Sequence, residues 1–82
     1  MRYRIEFKPR AVRDLRGLST EETTRVLKRL EALEIDLKGD VKKLTSFTPE
    51  YRLRVGPLRV LFEIEESTVV IYRILHRKEV FR

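Results

Sequence analysis

Three β-strands that follow one another with tight turns between them form the C-terminal part of this chain, and they restrict its fold more than any other feature. Residues 51–55 alternate apolar and charged side chains, as a half-buried strand does. Residues 56–57, Gly-Pro, are a strong turn signal, and residues 58–65 are typical of the returning strand. After a second turn, residues 68–75 are the most β-prone segment, and residues 69–72 are apolar throughout. A strand that is apolar on both sides is expected to lie inside the sheet and to be covered on both faces.

The N-terminal half predicts one strand followed by two helices. Residues 2–8 alternate in the manner of a strand, and Pro9 suits the first position of a helix. Ser19 and Glu22 fit a capping box at the start of a second helix, which we expect to end at residues 39–40. The apolar residues at helical spacing predict the buried stripe of this helix: Val26, Leu27, Leu30, Leu33 and Leu37.

Residues 41–49 are expected to form a polar connector that Leu44 and Phe47 anchor to the core. The predicted order of elements is therefore β-α-α-β-β-β in a single domain that covers residues 1–82. We expect an α+β fold in which an antiparallel four-stranded sheet carries the N-terminal helical hairpin on one face.

Three arginines are expected to share one small face of the first β-hairpin. If the hairpin closes tightly, Arg54 and Arg59 lie opposite each other, with Arg52 on the same side. Like charges directly opposite on a sheet are unfavourable, so this arrangement favours an anion as ligand. Phosphate is the leading candidate, because a planar guanidinium binds it in a bidentate geometry. The alternative is an ordinary solvent-exposed face on which Glu63 or Glu50 pairs with the arginines.

A second group of basic residues follows the last strand. The imidazole of His76 is the side chain that ordinarily titrates near neutral pH. The adjacent cations Arg77 and Lys78 would favour its neutral form, which suits a general base. The alternative is that His76 only caps the strand by hydrogen bonding. If the last two strands pair, this group lies close to Arg59 and the two basic groups merge into one concavity.

The end of the tail offers further contacts to RNA. Lys78 and Arg82 are candidate RNA-binding residues because of their positive charge. The alternative for Arg77 and Lys78 is a solvated chain end that binds nothing. Phe81 either anchors the tail to the core or stacks on a base.

The overall charge favours an anionic partner. Nineteen Lys and Arg residues against 13 Asp and Glu residues give a net charge of +6, which favours nucleic acid or an acidic protein. The chain has no cysteine and a single histidine, so we predict neither a disulfide nor a metal site, and no cofactor. The N-terminus lacks the apolar core of a signal peptide, and no apolar run is long enough to span a membrane. We therefore expect a cytoplasmic protein.

The predicted order of elements, together with three stretches of sequence, resembles the RelE/ParE toxin superfamily, and more narrowly the RelE-type toxins of toxin–antitoxin modules. The stretches are YRLRVG at residues 51–56, LRVLFEI at residues 58–64 and HRKEVFR at residues 76–82. The resemblance covers essentially the whole chain. It implies an endoribonuclease that enters the ribosomal A site, cuts mRNA and so inhibits translation. In that reaction the mRNA 2′-hydroxyl attacks the adjacent phosphate and leaves a 2′,3′-cyclic phosphate and a 5′-hydroxyl.

The resemblance also implies which residues act. Toxins of this type have basic residues at positions that match Arg52, Arg54, Arg59 and Arg77, the same four arginines that the strand pattern and the tail had indicated. Many relatives have a catalytic tyrosine where this chain has Phe81. Since phenylalanine cannot transfer a proton, His76 or another tyrosine of the chain would have to replace it.

The resemblance implies partners as well. They are the ribosome with its mRNA and a cognate RelB-like antitoxin, which would form a hetero-oligomer with the toxin through an acidic amphipathic helix. Two other functions stay open. A ParE-like chain would inhibit DNA gyrase without nuclease activity, and a basic RNA-binding domain would only neutralise phosphates.

The substitution Phe81→Tyr tests the departure from the family pattern. We expect it to raise the rate of mRNA cleavage, because it restores the hydroxyl found in relatives. Cleavage in a purified translation system measures the effect. An unchanged rate would mean that another group supplies the proton transfer.

Overall fold

A mixed five-stranded sheet with three helices is the architecture of residues 1–80, the part of the chain that the computed structural model describes. The strands are β1 (Arg4–Phe7), β2 (Val41–Lys43), β3 (Tyr51–Val55), β4 (Leu58–Glu65) and β5 (Thr68–His76), and the helices are α1 (Pro9–Arg16), α2 (Thr20–Leu33) and α3 (Arg77–Val80). The strands lie in the order β1-β5-β4-β3-β2. No helix within residues 1–80 has both the length and the apolar composition needed to cross a bilayer.

The predicted α+β class is confirmed, but the predicted antiparallel four-stranded sheet is wrong. Strand β1 pairs with β5 in the parallel direction, with Arg4 beside Thr68 and Phe7 beside Ile71. Apolar alternation shows which side of a strand is buried, but it is the same for either direction of the chain. The long connection between β1 and β5 therefore left their relative direction undetermined by the pattern.

The fifth strand comes from the predicted connector. Val41–Lys43 forms β2, which pairs antiparallel with β3 at the edge of the sheet. Polar edge strands of three residues give almost no alternation signal, so the sequence pattern missed it. The predicted anchors are also wrong, since Phe47 is 81% exposed and Leu44 is 40% exposed.

The helical hairpin is confirmed with corrected ends. Ser19 and Glu22 form the predicted capping box, in which each side chain accepts a hydrogen bond from the other residue's backbone N–H, at 3.1 and 3.0 Å. Helix α2 ends at Leu33 rather than at residues 39–40, because Asp36 and Leu37 adopt positive φ angles that interrupt a helix. Three of the five residues predicted to form its buried stripe are buried (Val26, Leu30 and Leu33), whereas Leu37 is half-buried and Leu27 is 44% exposed.

The core lies between the helices and one face of the sheet. The helices contribute Ala11, Val26, Leu30 and Leu33, and the strands contribute Leu53, Val55, Leu58, Val60, Phe62, Val69, Ile71 and Ile74. Val70, on the other side of β5, is also buried, so the expectation that this strand is covered on both faces is confirmed there.

Helix α1 replaces β1 as the neighbour of β5 in the second half of that strand. The N–H of Lys8 still donates to the carbonyl of Ile71, at 2.8 Å. Further along, the N–H of Ile74 donates to Oδ2 of Asp14, at 2.9 Å. The guanidinium of Arg73 donates to both carboxylate oxygens of Asp14, at 2.8 and 3.3 Å. The carboxylate of Asp14 thus accepts the N–H of Ile74, which has no strand partner on this side of β5, and it also fixes α1 against the sheet.

These contacts generate a stability prediction for Asp14→Asn. Burial acts to raise the pKa of Asp14, but the hydrogen bonds from Arg73 and from the Ile74 N–H outweigh it and hold the pKa below its usual value. A depressed pKa in the folded state stabilises the fold above the unfolded-state pKa of about 3.9, and this contribution is lost as the pH falls further. We expect Asp14→Asn to lower the free energy of unfolding by about 1–3 kcal/mol at pH 7, and by less near pH 3.

Urea unfolding followed by circular dichroism at both pH values measures this difference. Glu65→Gln, at an exposed carboxylate, is the matched control and should change stability little. Equal stability of Asp14→Asn and the native chain at pH 7 would contradict the assigned role.

Candidate functional site

The hairpin of β3 and β4 places three arginines on the sheet face opposite the helical hairpin. Gly56, the first residue of the two-residue turn, has a φ of +57°, a value typical of tight hairpin turns. The register then pairs Arg54 directly with Arg59, as the sequence predicts. Arg52 lies two residues before Arg54 and therefore on the same face.

The guanidinium of Arg59 is fixed by the turn itself. Its Nη1 donates to the carbonyl oxygens of Gly56 and Leu58, at 2.8 and 2.9 Å. Partial burial and the neighbouring charges of Arg54, Arg52 and Arg77 lower the pKa of Arg59. Three cations thus act on a fourth, and an anion bound among them would relieve the repulsion.

The guanidinium of Arg52 is fixed by Asp40, just before β2. Its Nη1 donates to the Asp40 carbonyl oxygen at 2.8 Å and to Oδ1 at 3.1 Å, and its side chain is only 16% exposed. The Asp40 carbonyl also accepts the backbone N–H of Arg54, at 3.0 Å. The hydrogen bond from Arg52 is the main cause that lowers the pKa of Asp40, with Arg54 and Arg59 acting through their charge.

Sequence reasoning missed Asp40 and named other carboxylates as alternative partners of the arginines. In the structure Glu50 instead pairs with Lys43, at 3.4 Å, and Glu63 accepts the backbone N–H of Glu50, at 3.1 Å. The signal that could have identified Asp40 is the pairing of β2 with β3, which brings residues 41–43 beside β3. That strand was not predicted.

Helix α3 brings Arg77 to the same cluster. The backbone N–H of Arg77 donates to the carbonyl of Pro57, at 2.9 Å, so the helix begins against the hairpin turn. Its charge contributes to the lowered pKa of Arg59, which is consistent with a position of Arg77 near that guanidinium. The merger of the two basic groups into one concavity stays a prediction. Lys78 is exposed on the same short helix. Among residues 1–80, the side chains of Arg54 and Arg77 form no hydrogen bond or ion pair.

The structure does not bring His76 together with these arginines. His76 pairs with Leu58, whose side chain is buried beneath the helices, and directly paired residues share a face. The pKa of Glu22 is lowered mainly by the hydrogen bond from the Ser19 backbone, and the charge of His76 also contributes. His76 therefore lies near the start of α2. The general-base role of His76 stays a prediction, and the predicted RNA contacts Phe81 and Arg82 lie outside the described residues.

Four guanidinium groups around one hairpin turn suit the binding of a phosphodiester. Arg59 and Arg52 are held by protein acceptors, whereas no acceptor within residues 1–80 occupies the side chains of Arg54 and Arg77. Arginine forks bind phosphate oxygens in pairs and stabilise negative charge that grows during phosphoryl transfer. Within residues 1–80, no group of three or more His, Cys, Asp or Glu side chains is arranged to hold a metal ion.

Comparison with known proteins identifies the family. The family model for the ParE toxin of the type II toxin–antitoxin system parDE matches residues 5–81. Toxin RelE3 of Methanocaldococcus jannaschii is 41% identical over 46 residues, which cover 56% of this chain and only 52% of that protein.

Two solved structures resemble the whole fold. A chain of the RelB–RelE antitoxin–toxin complex from Methanococcus jannaschii is 29% identical, with a TM-score of 0.77 and coverage of 93% of this chain and 94% of that one. A chain of the toxin–antitoxin complex RelBE2 from Mycobacterium tuberculosis is 28% identical, with a TM-score of 0.81 and coverage of 94% and 100%. The chain therefore belongs to the RelE/ParE superfamily of toxins from type II toxin–antitoxin systems.

Proposed function

We propose that this toxin is a ribosome-dependent endoribonuclease that cleaves mRNA in the A site and so inhibits translation. The observation that supports this activity best is the direct pairing of Arg54 with Arg59, with Arg52 and Arg77 beside them. Such a concentration of like charge disfavours the fold unless an anion is bound there. A ribosomal target would place the toxin in the cytoplasm.

The proposed reaction begins with attack of the mRNA 2′-hydroxyl on the adjacent phosphorus. The bond to the 5′-oxygen of the next nucleotide breaks, which leaves a 2′,3′-cyclic phosphate and a 5′-hydroxyl. Negative charge spreads over the phosphate oxygens in the transition state, and stabilising it is the main task of the protein. Arg59, held by two carbonyl oxygens, and Arg52, held by Asp40, are preorganised for that task.

Proton transfer falls to a group outside the arginine cluster. A guanidinium stays protonated at neutral pH, so it neither removes the proton of the 2′-hydroxyl nor donates one readily to the leaving oxygen. His76, the general base that the sequence predicts, pairs with Leu58 on the helical side of the sheet. The ribosome, or another side chain of the toxin, would then complete the acid–base chemistry.

A RelB-like antitoxin is the proposed partner. The solved structures that resemble this chain include RelB–RelE antitoxin–toxin complexes, and the net charge of +6 favours an acidic protein. A groove of about 230 Å³ lies between β1 and α2 and is lined by Ile5, Phe7, Leu27, Leu30, Glu31 and Glu34. The apolar side of an amphipathic helix would cover the exposed Leu27.

The double substitution Arg52→Ala/Arg59→Ala tests the nuclease. We expect cleavage at A-site codons to fall by at least about 10²-fold, because removal of a preorganised donor to transition-state charge typically costs that much. The control is Arg13→Ala/Arg29→Ala, which changes the net charge equally at exposed helix positions. Mapping mRNA ends in a purified translation system, with and without ribosomes, measures the rates.

Two outcomes would contradict the proposal. Equal loss in both double variants would mean that net charge matters and the cluster does not. Intact mRNA with the native toxin, together with inhibition of supercoiling by purified DNA gyrase, would favour the ParE-like activity.

The substitution Leu27→Asp tests the antitoxin surface. We expect it to weaken antitoxin binding by about tenfold or more, because a charge would replace an apolar contact at the interface. It should leave mRNA cleavage unchanged, since Leu27 lies on α2 and away from the arginine face. Calorimetric titration with the antitoxin encoded beside the toxin measures the affinity, and an unchanged affinity would exclude this groove.

A further inference from the structure

The loop between β2 and β3 holds Phe47 in solvent. With 81% of its surface exposed, Phe47 is the most exposed large apolar side chain in the part of the chain that the structure describes. Hydrogen bonds from its backbone N–H groups nevertheless hold the loop in place. The N–H of Leu44 donates to the carbonyl of Glu50 at 2.7 Å, and the N–H of Phe47 donates to Oγ1 of Thr45 at 3.2 Å. The N–H of Glu50 also donates to Glu63 on β4, at 3.1 Å.

An open apolar cavity of about 400 Å³ lies beside Phe47. Its lining comprises Leu44, Thr45, Phe47, Thr48, Pro49, Leu61 and Val80. A cavity of this volume falls within the usual range for small-ligand sites. The lining is mostly apolar, and two threonine hydroxyls provide polar groups.

Two residues of the cavity lining are neighbours of cluster arginines in the fold. Leu61 is the cross-strand partner of Arg52 and lies two residues after Arg59 on β4. Residues two apart on a strand share a face and are separated by about 7 Å. On the other side, Val80 lies one helical turn after Arg77 on α3. A phosphate on the arginines would therefore have its own nucleoside within reach of the cavity.

We propose that this cavity binds an unpaired nucleobase of the RNA, with the ring of Phe47 as the stacking surface. The inference rests on the proposed function and adds to it a subsite for one base next to the scissile phosphate. Aromatic side chains beside basic grooves are the usual way in which proteins hold single-stranded bases. The threonine hydroxyls of the lining can form hydrogen bonds to the edge of the base.

Charge favours RNA over a protein as the occupant. Through Leu61 and Val80 the cavity lies near Arg52, Arg59 and Arg77, and Asp40 is a carboxylate that acts on this cluster. The phosphate groups of RNA complement such a surface at every nucleotide, while the small apolar area matches one base rather than one face of a helix.

Binding of a short 2′-deoxy oligonucleotide tests the inference separately from the reaction. This probe lacks the attacking hydroxyl, so it is not cleaved by the proposed mechanism. Fluorescence anisotropy compares a probe with natural bases and one with abasic sites, over a range of salt concentrations. The variants are Phe47→Ala, Phe47→Trp, Arg59→Ala and the control Ile35→Ala, which truncates another exposed apolar residue.

We expect Phe47→Ala to weaken binding of the natural probe by about 5- to 150-fold, the range for loss of one base–aromatic stack. It should leave the abasic affinity and the salt dependence unchanged, whereas Arg59→Ala should reduce the slope of the salt dependence. Phe47→Trp should keep the affinity, and Ile35→Ala should resemble the native toxin.

Several results would overturn the base subsite. Equal affinity of Phe47→Ala and the native toxin for the natural probe would do so, and so would failure of the native toxin to bind either probe. Loss of antitoxin affinity in Phe47→Ala, with unchanged oligonucleotide affinity, would make the cavity a protein-docking surface. None of these results decides whether the toxin cleaves mRNA, because the arginine variants test that activity on ribosomes.

Discussion

The pairing register of β3 and β4 is the constraint on which the rest of the structure depends. The buried residues of this hairpin alternate with its arginines: Leu53, Val55, Leu58, Val60 and Phe62 face the helices. A slip of one residue would turn the arginines into the core and the apolar side chains into solvent. Burial of five apolar side chains therefore determines where the charges lie. The free energy of that burial also offsets the repulsion between Arg54 and Arg59.

The site is held together by oxygen atoms of the backbone as much as by charge pairing. Arg59 donates to two carbonyls of its own turn, and the carbonyl of Asp40 accepts from both Arg52 and the backbone of Arg54. Carbonyl acceptors orient a guanidinium without neutralising it. The carboxylate of Asp40 also pairs with Arg52, but among residues 1–80 the other three arginines of the cluster form no ion pair. The cluster therefore keeps a net positive charge while Arg52 and Arg59 are fixed, a combination that suits the binding of a phosphodiester.

Features that depend on residues close together in the sequence were predicted correctly. Features that depend on contacts between distant segments could not be predicted from the sequence. The capping box of α2 and the opposition of Arg54 and Arg59 depend on residues three to five positions apart, so periodicity and turn chemistry were sufficient. The parallel direction of β1, the strand β2 and the role of Asp40 depend on how distant segments meet. Pairing of the last two strands was expected to bring His76 close to Arg59, but the register pairs His76 with Leu58 and so places it on the opposite face.

The carboxylate of Asp14 also has a consequence for self-association. Beyond Ile71, strand β5 has lost β1 as its neighbour, and an exposed strand edge readily pairs with an edge of another molecule. Helix α1 covers this half-edge, and Asp14 takes the N–H of Ile74 that an incoming strand would need. Intermolecular strand addition is thereby blocked along this part of β5, next to the end of the strand from which α3 continues. Along this part of β5, the toxin is thus protected from strand-to-strand association with copies of itself.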